Sequence, residues 1–278
     1  MKHKLIFGLA TIALAFSACD DIDENDRYIP VERPEPSDKV VLIEEFTGAM
    51  CANCPNGAAA VQQIQQTYGN QIIAVSLYPS QMPQLTRPTA VDMRTEIASE
   101  IFSAYNGTQR GLPSAMFDRT SYQGNHLQLV PSAWITPVAE LLKNSTSPVD
   151  ITMDCRYDKN SRTLDVDYTV DFVNAYADDV NFQLYLVENG IVSPQLTTTG
   201  MNQTYVNNHV LRAGINGTWG ENLGSAFPLG ATESRSNSIT LDAKWVPENC
   251  AVIGFLYRSS DRTVLQAAEI HHIIKEQN

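Results

Sequence analysis

An α/β domain followed by an all-β sandwich is the fold class this sequence predicts, and three observations carry it. Residues 39–146 alternate buried-strand runs with stretches of helical spacing. Residues 147–278 give repeated short strands with no helix between them. Between the first strand and the first helix lies Cys51-Ala52-Asn53-Cys54-Pro55, directly after the apolar run at 40–46. Two cysteines one helical turn apart at a strand-to-helix junction point to thiol redox chemistry.

The elements follow in order. Residues 40–46 form a continuous run of the kind a parallel strand buried on both faces shows. Ala58, Val61, Ile64 and Tyr68 recur at helical spacing, with Pro55 near the start and Gly69 at the end. Residues 72–78 make a second buried strand. Met93, Ile97, Ile101 and Tyr105 then mark a helix closed by Gly107. Gly111-Leu112-Pro113-Ser114 leads into a strand at 115–118, residues 122–127 suggest a hairpin partner, and Trp134, Val138, Leu141 and Leu142 mark a last helix.

In the second half, residues 151–155 and 164–170 alternate, and further strands are expected at 180–188, 238–243, 251–258 and 263–269. This pattern reads as an antiparallel sandwich of immunoglobulin-like outline. A polar stretch at 195–230, rich in Asn, Gly and Thr, reads as one long loop.

The chain start predicts processing. Lys2 and Lys4 precede an apolar stretch at 5–16 that is too short to span a bilayer, and Ser17-Ala18-Cys19 follows. This resembles a lipobox, so residues 1–18 are expected to be a signal peptide and Cys19 the acylated mature N-terminus, with the lipid bilayer as partner. The ordinary alternative is a cleaved signal with an incidental cysteine. Residues 19–38 form an acidic, proline-bearing tether, and acids just after such a cysteine resemble an export signal to the outer face of the outer membrane. The net charge of −12 disfavours nucleic acid as a partner.

Five cysteines divide unevenly. Beyond Cys19, Cys51 and Cys54, the remaining Cys155 and Cys250 read either as a bridge closing a loop of about 95 residues, worth roughly 4–5 kcal/mol, or as two separate buried thiols. No second CxxC or metal-spaced His pair accompanies Cys51 and Cys54, and no metal or other cofactor is expected. His209 reads as a structural histidine more readily than as a ligand.

The order of elements, together with Glu45 six residues before Cys51 and Pro113 in Gly-Leu-Pro-Ser, resembles the thioredoxin-like superfamily over residues 39–144. That resemblance implies catalytic roles for Cys51 as nucleophile, Cys54 as resolving thiol, Glu45 as proton carrier and Pro113 as a cis-proline that docks substrate backbone. Met50 stands where tryptophan usually precedes the first cysteine, and Ala-Asn is an unfamiliar intervening pair. The run 205–212, the Gly217-Thr218-Trp219-Gly220 segment, the Glu45-Phe46-Thr47-Gly48-x-x-Cys-x-x-Cys-Pro motif and the closing 264–269 are similar to the twenty-eight-kilodalton outer-membrane lipoprotein family. This implies an outer-membrane, lipid-anchored location. Two functions stand side by side: thiol–disulfide exchange on extracytoplasmic protein thiols or disulfides, and a non-catalytic binding or adhesion lipoprotein that uses the first domain as a scaffold. The oligomeric state is not legible.

Overall fold

The apolar run after Lys39 becomes strand β1 (Val41–Phe46), all six residues of which are buried. It lies between β2 (Ile72–Leu77), which runs parallel from Val41↔Ile72 to Phe46↔Leu77, and β3 (Ser114–Phe117), which runs antiparallel. The computed structural model describes residues 38–82, 90–143 and 146–274. Cys19, the signal segment and residues 19–37 of the tether lie outside the described residues.

A parallel pair needs a crossover, and helix α1 (Cys54–Tyr68) supplies it. Pro55 sits in its first turn, where its missing N–H leaves no bond unmade, and Gly69 ends it at φ 58°. Helix α2 (Glu96–Ala104) starts at Thr95, whose side chain accepts from Ala98 N. The short α3 (Gly107–Arg110) and α4 (Ile135–Leu142) are the other α-helices among the described residues. Met93 falls before α2, and the hairpin expected at 122–127 reduces to a single bridge, Tyr122↔Asn125.

Successive residues of a strand face opposite ways, and β1 sorts its core accordingly. Val41 and Ile43 pack with Val61 and Ile64 of α1 and with Trp134 and Val138. Leu42 and Phe46 pack with Ile97, Ile101 and Phe102 on the other face. Glu45 shares the face of Val41 and Ile43, and Glu44 shares the face of Leu42 and Phe46.

Ten strands follow: β4 (Val149–Asp158), β5 (Thr163–Phe172), β6 (Val180–Glu188), β7 (Ile191–Thr197), β8 (Gly200–Asn207), β9 (Val210–Gly214), β10 (Glu221–Gly224), β11 (Thr232–Thr240), β12 (Cys250–Arg258) and β13 (Val264–Ile270). The stretch expected to be one long loop at 195–230 instead holds the end of β7 and all of β8, β9 and β10. Its polar composition hides these strands because β8 is largely exposed and supplies few buried side chains to alternate. The strand expected at 238–243 starts earlier, at Thr232, because β11 pairs with β5 over nine residues.

A three-stranded sheet, β11-β5-β4, faces β6 and β12 across a core that includes Val166, Tyr168, Phe172, Phe182 and Val252. Tyr168 stacks on Phe182 at 3.9 Å between ring centroids. The β7–β8 hairpin forms a sheet of its own. The eight-stranded sheet, of order β13-β12-β6-β9-β2-β1-β3 with β10 paired to β6, draws on residues before and after position 146. The join is β2 to β9, where Ser76 N donates to His209 O at 2.8 Å. One core follows it across, so that Leu42, Phe46 and Val75 cluster with Tyr185, Leu211 and Phe255. Among the described residues no helix is long and apolar enough to cross a membrane.

Candidate functional site at the start of α1

The chain leaves β1 at Phe46 and enters α1 through two consecutive tight turns. Cys51 N donates to Gly48 O at 3.0 Å, and Cys54 N donates to Cys51 O at 3.2 Å. Cys51 belongs to both. Its sulfur is bonded to that of Cys54, with the two Cα atoms 5.3 Å apart. Cys54 is the first residue of α1 and is buried, whereas Cys51 is half-buried. No acidic residue occupies the first turn and Asn53 gives no side-chain cap, so the N–H groups at the helix start have no local carboxylate to satisfy them. Those groups and the helix dipole favour negative charge at the adjacent sulfur.

Glu45 lies on the strand face that meets α1. It is 2% exposed, and its Oε1 has no hydrogen-bond partner among the described residues. Burial without a partner disfavours the ionised form and pushes the carboxyl up to about 8. Gly57, three residues beyond Cys54 and so on the same helix face, explains the fit. A Cβ at Gly57 would collide with Glu45 Oε1 and would lie 3.0 Å from the Trp134 ring and 3.2 Å from Pro113 Cβ. The Leu112–Pro113 peptide is cis. On the loop side, a Cβ on Gly48 would lie 3.3 Å from Leu112 Cδ1. Cys51, Cys54, Glu45 and Pro113 therefore gather around one helix start, with glycines where neighbouring side chains press against the helix and the loop.

Sequence reasoning missed what holds the loop from outside. Gln195 on β7 is 2% exposed, and its Nε2 donates to Gly48 O and to Cys51 O, each at 3.1 Å. Leu196 N donates to Ala49 O at 2.8 Å. A bulge between Ser193 and Gln195, at Pro194, turns the strand toward the loop. Tyr78 OH, one residue past β2, donates to Asn207 Oδ1 at 2.8 Å and ties down the other strand of the hairpin. Pro194 was the available signal, since proline inside a strand marks a bulge or an edge.

The second pair of cysteines is not bridged. Cys155 Sγ donates to Ile273 O at 3.9 Å, and Cys250 Sγ donates to Val246 O at 3.4 Å. Both are buried in the core of the second half, and burial pushes the Cys250 thiol up to about 12. The bridge entertained from the sequence is thus replaced by two small buried side chains that each have a backbone acceptor within reach. His209 donates its backbone N–H to Asn189 Oδ1, and burial holds its imidazole below the usual range. Among the described residues no group of three or more His, Cys, Asp or Glu side chains is placed to hold a metal ion.

A separate polar recess of about 660 Å³ opens elsewhere, lined by Tyr105, Arg110, His126, Ser259, Asp261 and Arg262 among others. Arg262 lies over the Trp219 ring at 4.0 Å.

Among solved structures, HBP35 of Porphyromonas gingivalis is similar over 87% of this chain and 80% of its own, at 15% identity and a TM-score of 0.66. A structural-genomics target from Agrobacterium tumefaciens is similar over 87% of this chain and 99% of its own, at 14% identity and a TM-score of 0.52. A domain of the outer membrane lipoprotein Omp28 from Porphyromonas gingivalis matches 45% of this chain and 88% of its own, at 18% identity and a TM-score of 0.33. At these identities the first two show a shared fold. No curated protein gives a match. The family profile described as outer membrane protein Omp28 matches residues 99–276, which is more than half of the sequence and begins after the two bonded cysteines. The chain belongs to the Omp28 family of outer membrane proteins.

Proposed function

We propose that this outer membrane protein exchanges thiols and disulfides with extracytoplasmic proteins through Cys51 and Cys54. The observation that carries the reading is the bonded pair at the start of α1 with an unpartnered, buried Glu45 against the same helix. A parallel β1–β2 pair crossed by α1, with antiparallel β3 led in by Pro113, supports a thioredoxin-like reading of residues 39–146. The two facing sheets of the second half support an immunoglobulin-like reading of residues 147–278. Acylation of Cys19 would anchor the protein to the bilayer.

In the reduced form, the Cys51 thiolate attacks one sulfur of a partner disulfide, forms a mixed disulfide and releases the other partner sulfur as a thiolate. Cys54 gives its proton to the ionised form of Glu45, the minor one at neutral pH, and attacks Cys51 Sγ. The second partner thiolate leaves, and the Cys51–Cys54 bond is made. Two electrons pass to the partner, whose thiolates take up protons, and a dithiol of another protein restores the reduced pair by the reverse sequence. A carboxyl near 8 changes protonation state close to neutral pH, which suits a group that must both take and return a proton.

Cys54→Ser removes the resolving thiol, so mixed disulfides through Cys51 accumulate on whole cells and with model disulfides. Failure to trap any adduct, with Cys51 accessible to alkylation, rejects exchange. The polar recess beside Arg110 and Arg262 favours a second reading, a binding lipoprotein in which the Cys51–Cys54 bond is permanent. Thiol titration separates the two. A Cys51 that is reduced by glutathione and alkylated rapidly supports exchange, and a bond inert to glutathione supports the scaffold.

A further inference from the structure

We infer that Gln195, supplied by the β7–β8 hairpin, is a positioning residue for Cys51, so that the second half of the chain sets the redox equilibrium of a pair located in the first. The inference rests on the exchange reading above and deepens it.

Cys51 N and Cys54 N each close a turn, on Gly48 O and on Cys51 O. These two carbonyls retain one lone pair each, and the single Nε2 of Gln195 takes both. One amide therefore clamps the turn before Cys51 to the turn after it. The two hydrogens of that nitrogen are shared with a third acceptor, Leu196 O at 2.9 Å, and Leu196 N holds Ala49 O. Gln195 is itself buried, so water has little room to replace its donors. The hairpin is fixed independently of the loop, because Asn207 Nδ2 donates to Ile191 O and Val91 N donates to Ser193 Oγ.

The clamp does not weigh equally on the two redox forms. In the oxidised form the sulfur–sulfur bond already ties residue 51 to residue 54. In the reduced form that tie is gone, and the two turns, the Leu196–Ala49 bond and the Gln195 clamp keep the Cys51 sulfur at the helix start. Loss of the amide therefore destabilises the reduced form more than the oxidised one. The pair becomes harder to reduce, and the Cys51 thiolate loses its place beside its stabilising donors.

The experiment uses the full chain. Gln195→Met keeps side-chain length and removes both donors, and Gln195→Asn keeps an amide that ends one methylene short. Each is equilibrated with a series of reduced and oxidised glutathione mixtures, and the thermal midpoints of both redox forms are recorded alongside. The equilibrium constant for oxidation should rise about tenfold in the Met variant and by a smaller factor in the Asn variant. The rate of Cys51 alkylation at pH 7 should fall in the same order. A role in stability alone lowers the midpoints of both redox forms equally and leaves the equilibrium constant where it was. An unchanged constant in both variants, with a wild type that equilibrates normally, overturns the role of Gln195 and leaves the exchange reading standing. A wild type that does not equilibrate with glutathione overturns the exchange reading, and this inference with it.

Discussion

Glu44 and Glu45 are neighbours on one strand, both essentially sealed from water, and they live in opposite electrostatic worlds. Glu44 points into the core shared by both halves of the chain. It receives Arg119 Nε at 2.7 Å and Nη2 at 2.8 Å, with Tyr185 OH at 3.1 Å. Glu45 points the other way, against α1, and its Oε1 receives nothing among the described residues. A buried charge with a full set of partners holds a fold together. A buried acid without partners holds a proton. The strand's period of two thus separates an anchoring carboxylate from one suited to proton transfer by a single step along the backbone.

The largest effect should come from breaking the anchored side. Arg119→Met strands the Glu44 carboxylate in the core. It also removes a guanidinium that lies 5.0 Å from the Phe255 ring and 5.3 Å from the Tyr257 ring. Loss of one partner from a buried ion pair costs about 3–5 kcal/mol. A urea midpoint that stays near that of the wild type would mean that the core relaxes around the charge.

The opposite sign is expected on the other face. Glu45 has a folded-state pKa of about 8 against an ordinary 4.5, so the folded chain holds the extra proton between those values. Its contribution to stability is therefore complete below about pH 4.5 and is lost as pH rises through 8. Glu45→Gln removes that dependence. Relative to wild type it should gain about 4 kcal/mol of stability between pH 5 and pH 9. The same substitution should slow resolution of a mixed disulfide about 100-fold. Denaturation at pH 5 and pH 9, read beside single-turnover exchange, checks both. A flat difference across pH would show that Glu45 gains a partner when it ionises.

What the sequence made legible follows the same division. Local chemistry was readable: an apolar run, a CxxC, a proline at a helix start and a Gly-Leu-Pro-Ser each carry their cause within a few residues. The helix around Val61 and Ile64 and the strands at 180–188 and 251–258 were readable for that reason. Partnerships between distant segments were not. The β2–β9 join rests on a single register pair, Ser76↔Val210. The Arg119–Glu44–Tyr185 cluster gathers residues 75 and 66 positions apart. Gln195 reads as one polar residue in a polar stretch until its two acceptors on the Cys51 loop, 147 and 144 positions away, are seen. Nothing near Gly57 in the sequence shows that its missing side chain lets Glu45 approach the helix.

Gly57 gives a sharper test of that approach. Gly57→Ala raises helix propensity by about 1 kcal/mol, yet its new methyl group must displace the Glu45 carboxyl or press on the Trp134 ring. Overpacking of this kind costs about 1–3 kcal/mol. The net loss expected is thus up to about 2 kcal/mol, and the combination Gly57→Ala with Glu45→Ala should recover most of it. A Gly57→Ala chain as stable as wild type would indicate that α1 shifts away from β1 at little cost.

The smallest effect isolates one bond on the anchored face. Tyr185 OH accepts from Arg119 Nη2 at 3.0 Å and donates to Glu44 Oε1, so it sits inside the ion pair. Its ring also meets Phe255 edge-on at 5.1 Å, a contact that Tyr185→Phe preserves. Only the hydroxyl is lost, and Glu44 keeps both guanidinium bonds. The charge stays compensated, so the change should cost about 1 kcal/mol, the net worth of an ordinary buried hydrogen bond. In an Arg119→Met background the hydroxyl becomes the carboxylate's one remaining side-chain donor. The same Tyr185→Phe step should then cost more than it does alone, and a double-mutant cycle in urea reads the difference. Equal costs in the two backgrounds would mean that Tyr185 packs beside the ion pair without sharing in it.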